Sequence, residues 1–266
     1  MFILKQNPRK QSFWQLMAFI ERKDFILNYL RDSRIGMVHD FSEPLAVSEA
    51  TIRRDLQELE DLGFLRRIHG GAALAESAIE PLFNDKKQKN KDSKKRIAEA
   101  ALTLINDNDR IYLDGGSTIL YLARLLNQRK NLTVVTNSIL AAATLMDSPH
   151  KLVMLGGEFR PISRTLIGAL TEPVIEHLQV DKAFMGTIGF SLKMGMTTTA
   201  SEEAFTKTKI MQKSNQIILL ADSSKLRVDS FAKSGSVGDI DVLVTEKIED
   251  DMFLKLKEYK IQVVVA

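Results

Sequence analysis

Short β-rich runs alternate with helical patterns from residue 96 to residue 266, and this alternation constrains the fold more than any other feature of the sequence. Strands that alternate with helices are typical of an α/β domain in which the sheet is mainly parallel. The predicted strands are Arg110–Asp114, Leu132–Thr136, Lys151–Leu155, Lys182–Met185, Gln216–Ala221, Val242–Thr245 and Ile261–Val265.

Residues 19–74 have a different pattern, which predicts a smaller domain of three short helices followed by a short hairpin. Residues 75–95, between this domain and the α/β domain at 96–266, carry many lysines. We interpret them as a solvated linker that leads into a helix; an auxiliary contact to nucleic-acid phosphates is the alternative. Residues 1–18 are expected to form a loosely ordered extension, with Met17 as an alternative first residue.

The composition excludes several classes of site. The chain has no cysteine, which excludes disulfides, zinc ribbons, iron–sulfur clusters and thiol nucleophiles. The four histidines lie far apart without the spacing of metal ligands, so no metal site is expected. We find no membrane-spanning stretch and no secretory signal, and we expect a cytoplasmic protein without a membrane partner. The net charge of +3 is too small to indicate nucleic-acid binding by itself.

The segment from Ser48 to Gly63 has the features of a helix that reads DNA. Ser48 is a suitable N-cap, and Gly63 can adopt the left-handed conformation that ends a helix. A buried stripe at helical spacing is formed by Ile52, Leu56, Leu59 and Leu62. The other face offers side chains that can reach phosphates and base edges in a major groove, namely Ser48, Glu49, Thr51, Arg53, Arg54 and Gln57.

The flanking segments complete a winged helix-turn-helix pattern. A first helix is indicated by Phe25, Ile26, Tyr29 and Leu30, and a short second helix, ended near Pro44, by Val38, Phe41 and Leu45. A hairpin predicted over Phe64–Gly71 adds the candidate DNA contacts Arg66, Arg67 and His69. Taken alone, the Arg53–Arg54 pair is equally compatible with a solvated helix face. Asp55 is assigned a structural role, bonding Arg53, Arg54 or the turn.

Polar residues follow several of the predicted strands at the point where each strand ends. Asp114-Gly115-Gly116-Ser117-Thr118, Thr136-Asn137-Ser138 and Asp222-Ser223-Ser224-Lys225 all have this placement. Strand carboxyl ends of a doubly wound sheet can converge on one crevice, where ligands normally bind. Backbone N–H groups of the following helices, hydroxyls and Lys225 suit a phosphate, and the carboxylates suit sugar hydroxyls.

These strings resemble the DeoR family of bacterial transcription regulators over roughly residues 19–266. In the DNA-reading part, the residues that match the family pattern are Val47-Ser48-Glu49, Thr51-Ile52-Arg53-Arg54-Asp55-Leu56, Gly63, Leu65, Arg67 and His69-Gly70-Gly71-Ala72. In the α/β part, the matching residues are Asp114, Gly116-Ser117-Thr118, Thr136-Asn137-Ser138, Gly156-Gly157, Asp181, Ala183-Phe184, Gly186, Glu203-Ala204, Lys207, Asp222 and Ser224-Lys225. Pro44 and Glu246 depart from the family pattern. The resemblance implies an effector domain similar in fold to ribose-5-phosphate isomerase, and a dimer or higher oligomer.

The candidate effector site combines these strand ends with residues that the resemblance adds. Asp181 is expected to cap a strand entry and Phe184 to lie in the core, whereas Glu203 and Lys207 form either a helix-face pair or part of the site. Arg164 is a further candidate. The effector-binding candidates are Asp114, Gly115, Gly116, Ser117, Thr118, Thr136, Asn137, Gly156, Gly157, Arg160, Gly186, Glu203, Lys207, Asp222, Ser224 and Lys225.

Three functions are compatible with these patterns. The leading hypothesis is a repressor of a carbohydrate operon, without cofactor or catalytic residue, whose affinity for double-stranded operator DNA is controlled by a phosphorylated sugar. The second is a sugar-phosphate isomerase that uses Asp114, Asp222 or Glu203 with Lys225. The third is a constitutive DNA-binding protein with a vestigial pocket. An isomerase has no use for a DNA-reading domain, which favours the repressor.

Overall fold

The computed structural model describes residues 22–30, 32–61, 64–74, 80–81 and 83–266. The chain divides into two compact units, one that ends at Ile79 and one from Glu80 to Ala266. The predicted extension at residues 1–18 lies outside the described residues, as do Leu62 and Gly63 at the end of the predicted reading helix.

The first unit contains the predicted helix-turn-helix and wing. Its elements are α1 (residues 22–30 and 32–33), β1 (Ile35–Met37), α2 (Val38–Ser42), α3 (Glu49–Asp61), β2 (Leu65–Ile68) and β3 (Gly71–Leu74). As expected, α2 ends before Pro44, because a residue that precedes proline is disfavoured in the helical conformation. The hairpin of β2 and β3 is antiparallel and extends to Leu74, beyond the predicted end at Gly71. Strand β1, which the sequence patterns do not predict, pairs with β3.

The reading helix α3 packs by the predicted stripe. Ile52, Leu56 and Leu59 are fully buried. Phe41 of α2 and Leu30 of α1 are also fully buried in this unit. Full burial of a side chain of this size stabilises the fold by about 1.5–3 kcal/mol, so these residues hold the helices together.

The second unit is built on a seven-stranded sheet that contains all seven predicted strands, with bounds shifted by at most two residues. Its strands are all parallel and lie in the order β15-β14-β12-β9-β4-β5-β6. They are β4 (Arg110–Leu113), β5 (Thr133–Thr136), β6 (Lys151–Met154), β9 (Val180–Met185), β12 (Ser214–Leu220), β14 (Val242–Thr245) and β15 (Gln262–Val265). The chain proceeds from β4 to one edge and then continues from β9 to the other, so the strand order reverses between β4 and β9.

Helices cover both faces of this sheet. They are α4 (Phe83–Gln88), α5 (Lys91–Leu102), α6 (Ser117–Ala123), α7 (Ile139–Leu145), α8 (Glu172–Ile175), α9 (Ser201–Met211) and α10 (Asp250–Glu258). In β4, Ile111 and Leu113 pack in one core with residues of α5, α6 and α7, whereas Tyr112 packs in a second core with residues of α9 and α10. This period-two alternation places each layer of helices on its own face.

Short strands outside the main sheet were not predicted. They are β7 (Glu158–Arg160), β8 (Thr165–Ile167), β10 (Gly189–Ser191), β11 (Gly195–Thr198) and β13 (Ala232–Gly235). The first two form a hairpin, and the other three form an antiparallel sheet in the order β10-β11-β13. Their runs of three or four residues are too short to show a period in the sequence.

The described part of the predicted linker differs from a solvated segment. Residues 83–88 form α4 and α5 begins at Lys91, both within the compact unit that starts at Glu80. The side chains of Phe83 and Lys94 are buried, whereas a solvated linker would expose them. The reason is local chemistry: Lys94 Nζ donates to the main-chain carbonyl oxygens of Lys86, at 3.0 Å, and Lys89.

No helix within the described residues combines the length and the apolar character that crossing a membrane requires.

Candidate functional site

The amino end of α3 has the cap that the sequence predicts. The Thr51 main-chain N–H donates to Ser48 Oγ at 3.2 Å, so Ser48 satisfies a donor that the helix itself leaves unpaired. Glu49 in the first turn accepts a hydrogen bond from Arg53 at 2.6 Å. Arg54 is exposed on the same helix. The helix therefore presents both guanidinium groups at its surface while its apolar stripe faces inward.

The wing is tied to the reading helix by polar contacts. Arg67 donates through its main-chain N–H to Glu60 at 2.7 Å and through Nη1 to the side chain of Gln57 at 2.9 Å. Arg66 and His69 are exposed on the hairpin. The predicted DNA contacts are therefore brought together on α3, its cap and the β2–β3 hairpin, and all of them except half-buried Thr51 are exposed.

Asp55 has the predicted structural role but a different partner. Its carboxylate accepts two hydrogen bonds from Arg22 of α1, at 2.7 and 3.1 Å, and not from Arg53 or Arg54. The predicted partner is wrong because Asp55 lies on the buried side of α3, where only 2% of its surface is exposed. The bidentate pair fixes α3 against α1.

A cavity of about 120 Å³ lies at the carboxyl ends of the parallel strands, where the strand order reverses. Residues that follow β4 and β9 approach each other closely here. A Cβ added to Gly186 would lie 2.9 Å from the main-chain oxygen of Gly115, so Gly186 must lack a side chain. Gly116 has a φ of +130°, which also favours glycine. Predicted effector residues that line this cavity are Gly115, Gly116, Ser117, Thr118, Gly186, Glu203, Lys207, Asp222, Ser224 and Lys225.

The end of β12 contributes a buried carboxylate to the cavity. Asp222 accepts hydrogen bonds from Ser224 Oγ at 2.5 Å and Asn90 Nδ2 at 2.9 Å, and Lys94 Nζ lies 3.5 Å away. Burial acts to raise the pKa of Asp222, but the donors Ser224 and Asn90 and the charge of Lys94 outweigh burial and lower that pKa. Glu246, the departure at the end of β14, accepts from the hydroxyl of Ser223 at 2.7 Å, so it supports this loop.

A chain of alternating charges lies along the other side of the cavity, which its members Lys207, Glu203 and Glu80 line. Lys207 of α9 contacts the carboxylate of Asp114 and lies 3.6 Å from Glu203. Glu203 lies 3.2 Å from Arg160, which in turn donates to Glu80 at 2.7 Å. Burial raises the pKa of Glu203, whereas Asp114 and Glu203 raise the pKa of Lys207 against the opposite effect of burial. Glu203 and Lys207 are therefore a cavity-lining pair, not a solvated one.

Lysines surround the cavity on the side of α4 and α5. Lys86, Lys89 and Lys94 line it together with Lys225. Burial lowers the pKa of Lys225, and the charges of Lys86, Lys94 and Lys89 lower it further, against the opposite effect of Asp222. Burial is also the main cause that lowers the pKa of Lys94. Ammonium groups crowded in this way favour an anion beside them.

Several predicted effector residues lie outside the lining of the cavity. Thr136 bonds the main chain of Leu113 at 2.7 Å, and Asn137 bonds that of Leu166 at 3.1 Å. Gly157 has a φ of +138°, and a Cβ added to it would lie 2.8 Å from the carbonyl oxygen of Ile167, so this position has a packing reason to be glycine. Asp114, Gly156, Arg160 and Arg164 are likewise absent from the lining. Arg164 donates to Asn84 at 3.2 Å and stacks on Phe83.

The expected structural residues of β9 have the predicted roles. Asp181 accepts hydrogen bonds from the main chain and guanidinium of Arg110, at 2.6 to 3.1 Å, at the entry of β4 and β9. Phe184 is fully buried in the core.

Sequence patterns missed the contribution of the segment before α5. Glu80, Lys86, Lys89, Asn90 and Lys94 all line the cavity. They do not share one helical face, because α4 ends at Gln88 and α5 begins at Lys91. No periodicity in the lysine run therefore indicates them. Among the described residues, no group of three or more His, Cys, Asp or Glu side chains could hold a metal ion.

Comparison with known families finds two matches. The family described as "DeoR-like helix-turn-helix domain" matches residues 22–78, and the family described as "DeoR C terminal sensor domain" matches residues 89–247. Together they span the reading helix, the wing and most of the seven-stranded sheet.

Individual proteins agree with these families. The HTH-type transcriptional regulator FruR of Bacillus subtilis is 34% identical over 230 residues, which are 86% of this chain and 92% of that protein. The lactose phosphotransferase system repressor of Streptococcus mutans is 32% identical over 244 residues, or 90% and 96%. Among solved structures, ribose 5-phosphate isomerase A of Methanocaldococcus jannaschii is 21% identical, covers 52% of this chain and 55% of its own, and has a TM-score of 0.39.

Both curated relatives have names of transcription regulators and neither has the name of an enzyme, in agreement with the reading helix described above. The two family matches and these relatives cover the chain from the reading helix to the sensor sheet: the chain belongs to the DeoR family of transcription regulators.

Proposed function

We propose that this protein is a cytoplasmic repressor of a carbohydrate operon and that a phosphorylated sugar in the cavity of the second unit controls its affinity for operator DNA. The ligand changes the relative stability of two arrangements of the protein, and DNA binds one of them better. The active form is a homo-oligomer that places reading helices on two half-sites.

One observation carries this proposal: four lysines, 86, 89, 94 and 225, line a cavity at the switch point of the sheet. Asp222 pairs with Lys94, and Glu80 pairs with Lys86. Among the described residues, Lys89 and Lys225 have no such ion pair, so they are the cations that an anionic ligand meets first. A phosphate monoester supplies about two negative charges at neutral pH. The hydroxyls of Ser117 and Ser224 lie at the same cavity, where they can turn from their present acceptors, the main-chain oxygen of Lys86 and the carboxylate of Asp222, to the oxygens of such a ligand.

The carbohydrate part of the ligand is supported by the site and by a relative. Glu203 and Asp222 can accept hydrogen bonds from sugar hydroxyls, while the lysines take the phosphate. The Streptococcus mutans relative is named as the repressor of a lactose phosphotransferase system. A phosphotransferase system delivers phosphorylated sugars, so the proposed class of ligand fits that regulatory setting.

The proposed binding to DNA depends on exposed groups of the first unit, which we call the reading unit. Arg53 and Arg54 on α3 are placed to contact phosphates and base edges, and Arg66 and His69 on the wing to contact the backbone. Half of Arg53 is exposed even though it pairs with Glu49. An exposed pair of this kind costs little to break, so DNA phosphates can replace Glu49.

The test is fluorescence anisotropy of a labelled DNA fragment from upstream of the protein's own gene, at fixed salt, with a panel of sugar phosphates. The proposal predicts tight binding that one compound changes and that unlabelled unrelated DNA does not abolish. Tight binding that every compound leaves unchanged would favour a constitutive DNA-binding protein. An absence of specific binding would contradict the proposal.

A further inference from the structure

The segment at the start of the second unit supplies a carboxylate that is deeply held among cations. Glu80 is 5% exposed and lies at the edge of the cavity. It accepts from Lys86 at 2.5 Å, Arg160 at 2.7 Å and Thr199 at 2.5 Å. Burial acts to raise the pKa of Glu80, but Lys86 and Arg160 outweigh burial and lower that pKa to about 2.

These contacts have the composition of an anion site that is already filled. Two cations and a hydroxyl converge on one carboxylate, which is the donor set that proteins use for phosphate. The occupant is part of the chain itself. An anion that enters the cavity therefore meets a site in which Glu80 has engaged the nearest donors.

Lys86 connects this filled site to the open part of the cavity. Its side chain is 12% exposed, lines the cavity and pairs with Glu80. Lys225 lines the same cavity of about 120 Å³, and the charge of Lys86 lowers the pKa of Lys225. An anion in this small cavity is therefore shared by the two ammonium groups.

We propose that Glu80 is an intramolecular competitor of the anionic ligand, holding Lys86 until a phosphate group in the cavity takes it over. This inference rests on the proposed function of the cavity as a phosphate-ester site. A phosphate dianion attracts Lys86 more strongly than a single carboxylate does, because Coulomb energy is proportional to charge. Binding then leaves Glu80 with Arg160 and Thr199 alone.

Competition gives the ligand a direct effect on the chain next to the reading unit. That unit ends at Ile79, and Glu80 is the following residue. A ligand that takes Lys86 from Glu80 lowers the free energy with which Glu80 is bound to the second unit. Lys86 is the residue that transfers the effect, since it belongs to the same segment and faces the ligand.

The experiment measures the binding of inorganic phosphate to the full chain by isothermal titration calorimetry. The variants are Glu80→Gln, Lys86→Gln, the double variant, and Asp109→Asn as a matched control. Asp109 also forms a part-buried pair, 2.6 Å from Lys182, but it precedes β4 and therefore lies at the amino ends of the strands, away from the cavity at their carboxyl ends. Circular dichroism and thermal unfolding establish that each variant folds.

Competition predicts that Glu80→Gln binds phosphate about tenfold more tightly than the wild type, a change of about 1.4 kcal/mol. Asp109→Asn should bind like the wild type. The gain from Glu80→Gln should vanish in the Lys86→Gln background, since the released cation is then missing. Equal or weaker binding by folded Glu80→Gln, or a gain that persists without Lys86, would overturn the inference.

A second measurement uses the wild type, in case Glu80→Gln does not fold. The carboxyl ¹³C resonance of Glu80 should move when phosphate is added and stay in place when chloride of equal ionic strength is added. An unchanged resonance under saturating phosphate would overturn the competition but leave the proposed function standing. Failure of every form to bind phosphate or any sugar phosphate would overturn both.

Discussion

At the scale of single residues, charged groups are held by partners that are distant in the sequence. Arg22 and Asp55 pair across 33 residues, and Arg160 and Glu80 across 80. Breaking a pair whose carboxylate is buried is more costly than breaking an exposed pair, because the partner charge has already lost part of its hydration. The consequences of single substitutions therefore depend on burial more than on charge.

Asp55→Asn should destabilise the first unit by about 2–3 kcal/mol, because the bidentate contact that the buried Asp55 carboxylate makes with Arg22 is broken. The free energy of unfolding by urea measures this change. Glu49→Gln removes the partner of exposed Arg53 and should cost no more than about 0.5 kcal/mol. Similar losses from both substitutions would contradict the structural role of Asp55.

Arg54→Ala should weaken operator binding by about tenfold or more and leave sugar-phosphate binding intact, because Arg54 is exposed on the reading helix. Lys225→Met should do the reverse, since it removes a cation of the cavity without touching α3. Anisotropy with labelled DNA and calorimetry with the ligand measure the two activities separately. Equal damage to both activities by both substitutions would show that the assignment of the two sites is wrong.

Glu80 should make the free energy of unfolding of the second unit decrease in acid. A carboxyl group whose folded pKa is lowered stabilises the fold above its unfolded pKa, and this stabilisation is lost as the pH falls through the folded value. With a pKa lowered from 4.5 to about 2, Glu80 contributes about 3 kcal/mol that disappears across this window. Unfolding of the wild type and Glu80→Gln between pH 5 and about pH 2 tests this. Parallel stability curves would contradict it.

At the scale of elements, the reading helix begins at a cap that can be tested in isolation. Ser48→Ala removes the acceptor of the Thr51 N–H and should cost about 1 kcal/mol of stability in the reading unit. Ser48→Asn keeps an acceptor at this position and should lower the stability by only about 0.3 kcal/mol. The melting temperatures of the two variants decide the matter, and a harmless Ser48→Ala would show that the cap contributes nothing.

Elements with strong periodicity are predictable from the sequence. The five inner strands of the sheet are largely buried apolar runs, the edge strands β6 and β15 are apolar runs that are only half-buried, and α3 has a clear apolar stripe. The short strands β7 and β8 escape prediction because their pairing depends on tertiary contacts, such as the bridge between Ser138 and Thr165. Helix α4 and the first residues of α5 fall in the predicted linker because a lysine run is normally solvated, and burial of Lys94 against carbonyl oxygens cannot be seen in composition.

At the scale of the whole molecule, the order of strands decides which predicted residues meet. Residues after β4, β9 and β12 share the cavity because these strands are adjacent in the sheet. Thr136 at the end of β5 and Asn137 after it lie outside the cavity and bond to the main chain instead. Spacing along the chain predicts strand ends but not strand order, so the sequence identified the site only in part.

The central claim is that one protein couples an anion-binding cavity to a DNA-reading surface, and linkage gives this claim a strict form. If a ligand changes DNA affinity by some factor, DNA must change the ligand affinity by the same factor. The decisive measurement is calorimetric titration of the effective sugar phosphate into the free protein and into its complex with operator DNA. The account predicts two affinities that differ by the factor observed in anisotropy, and equal affinities would contradict it.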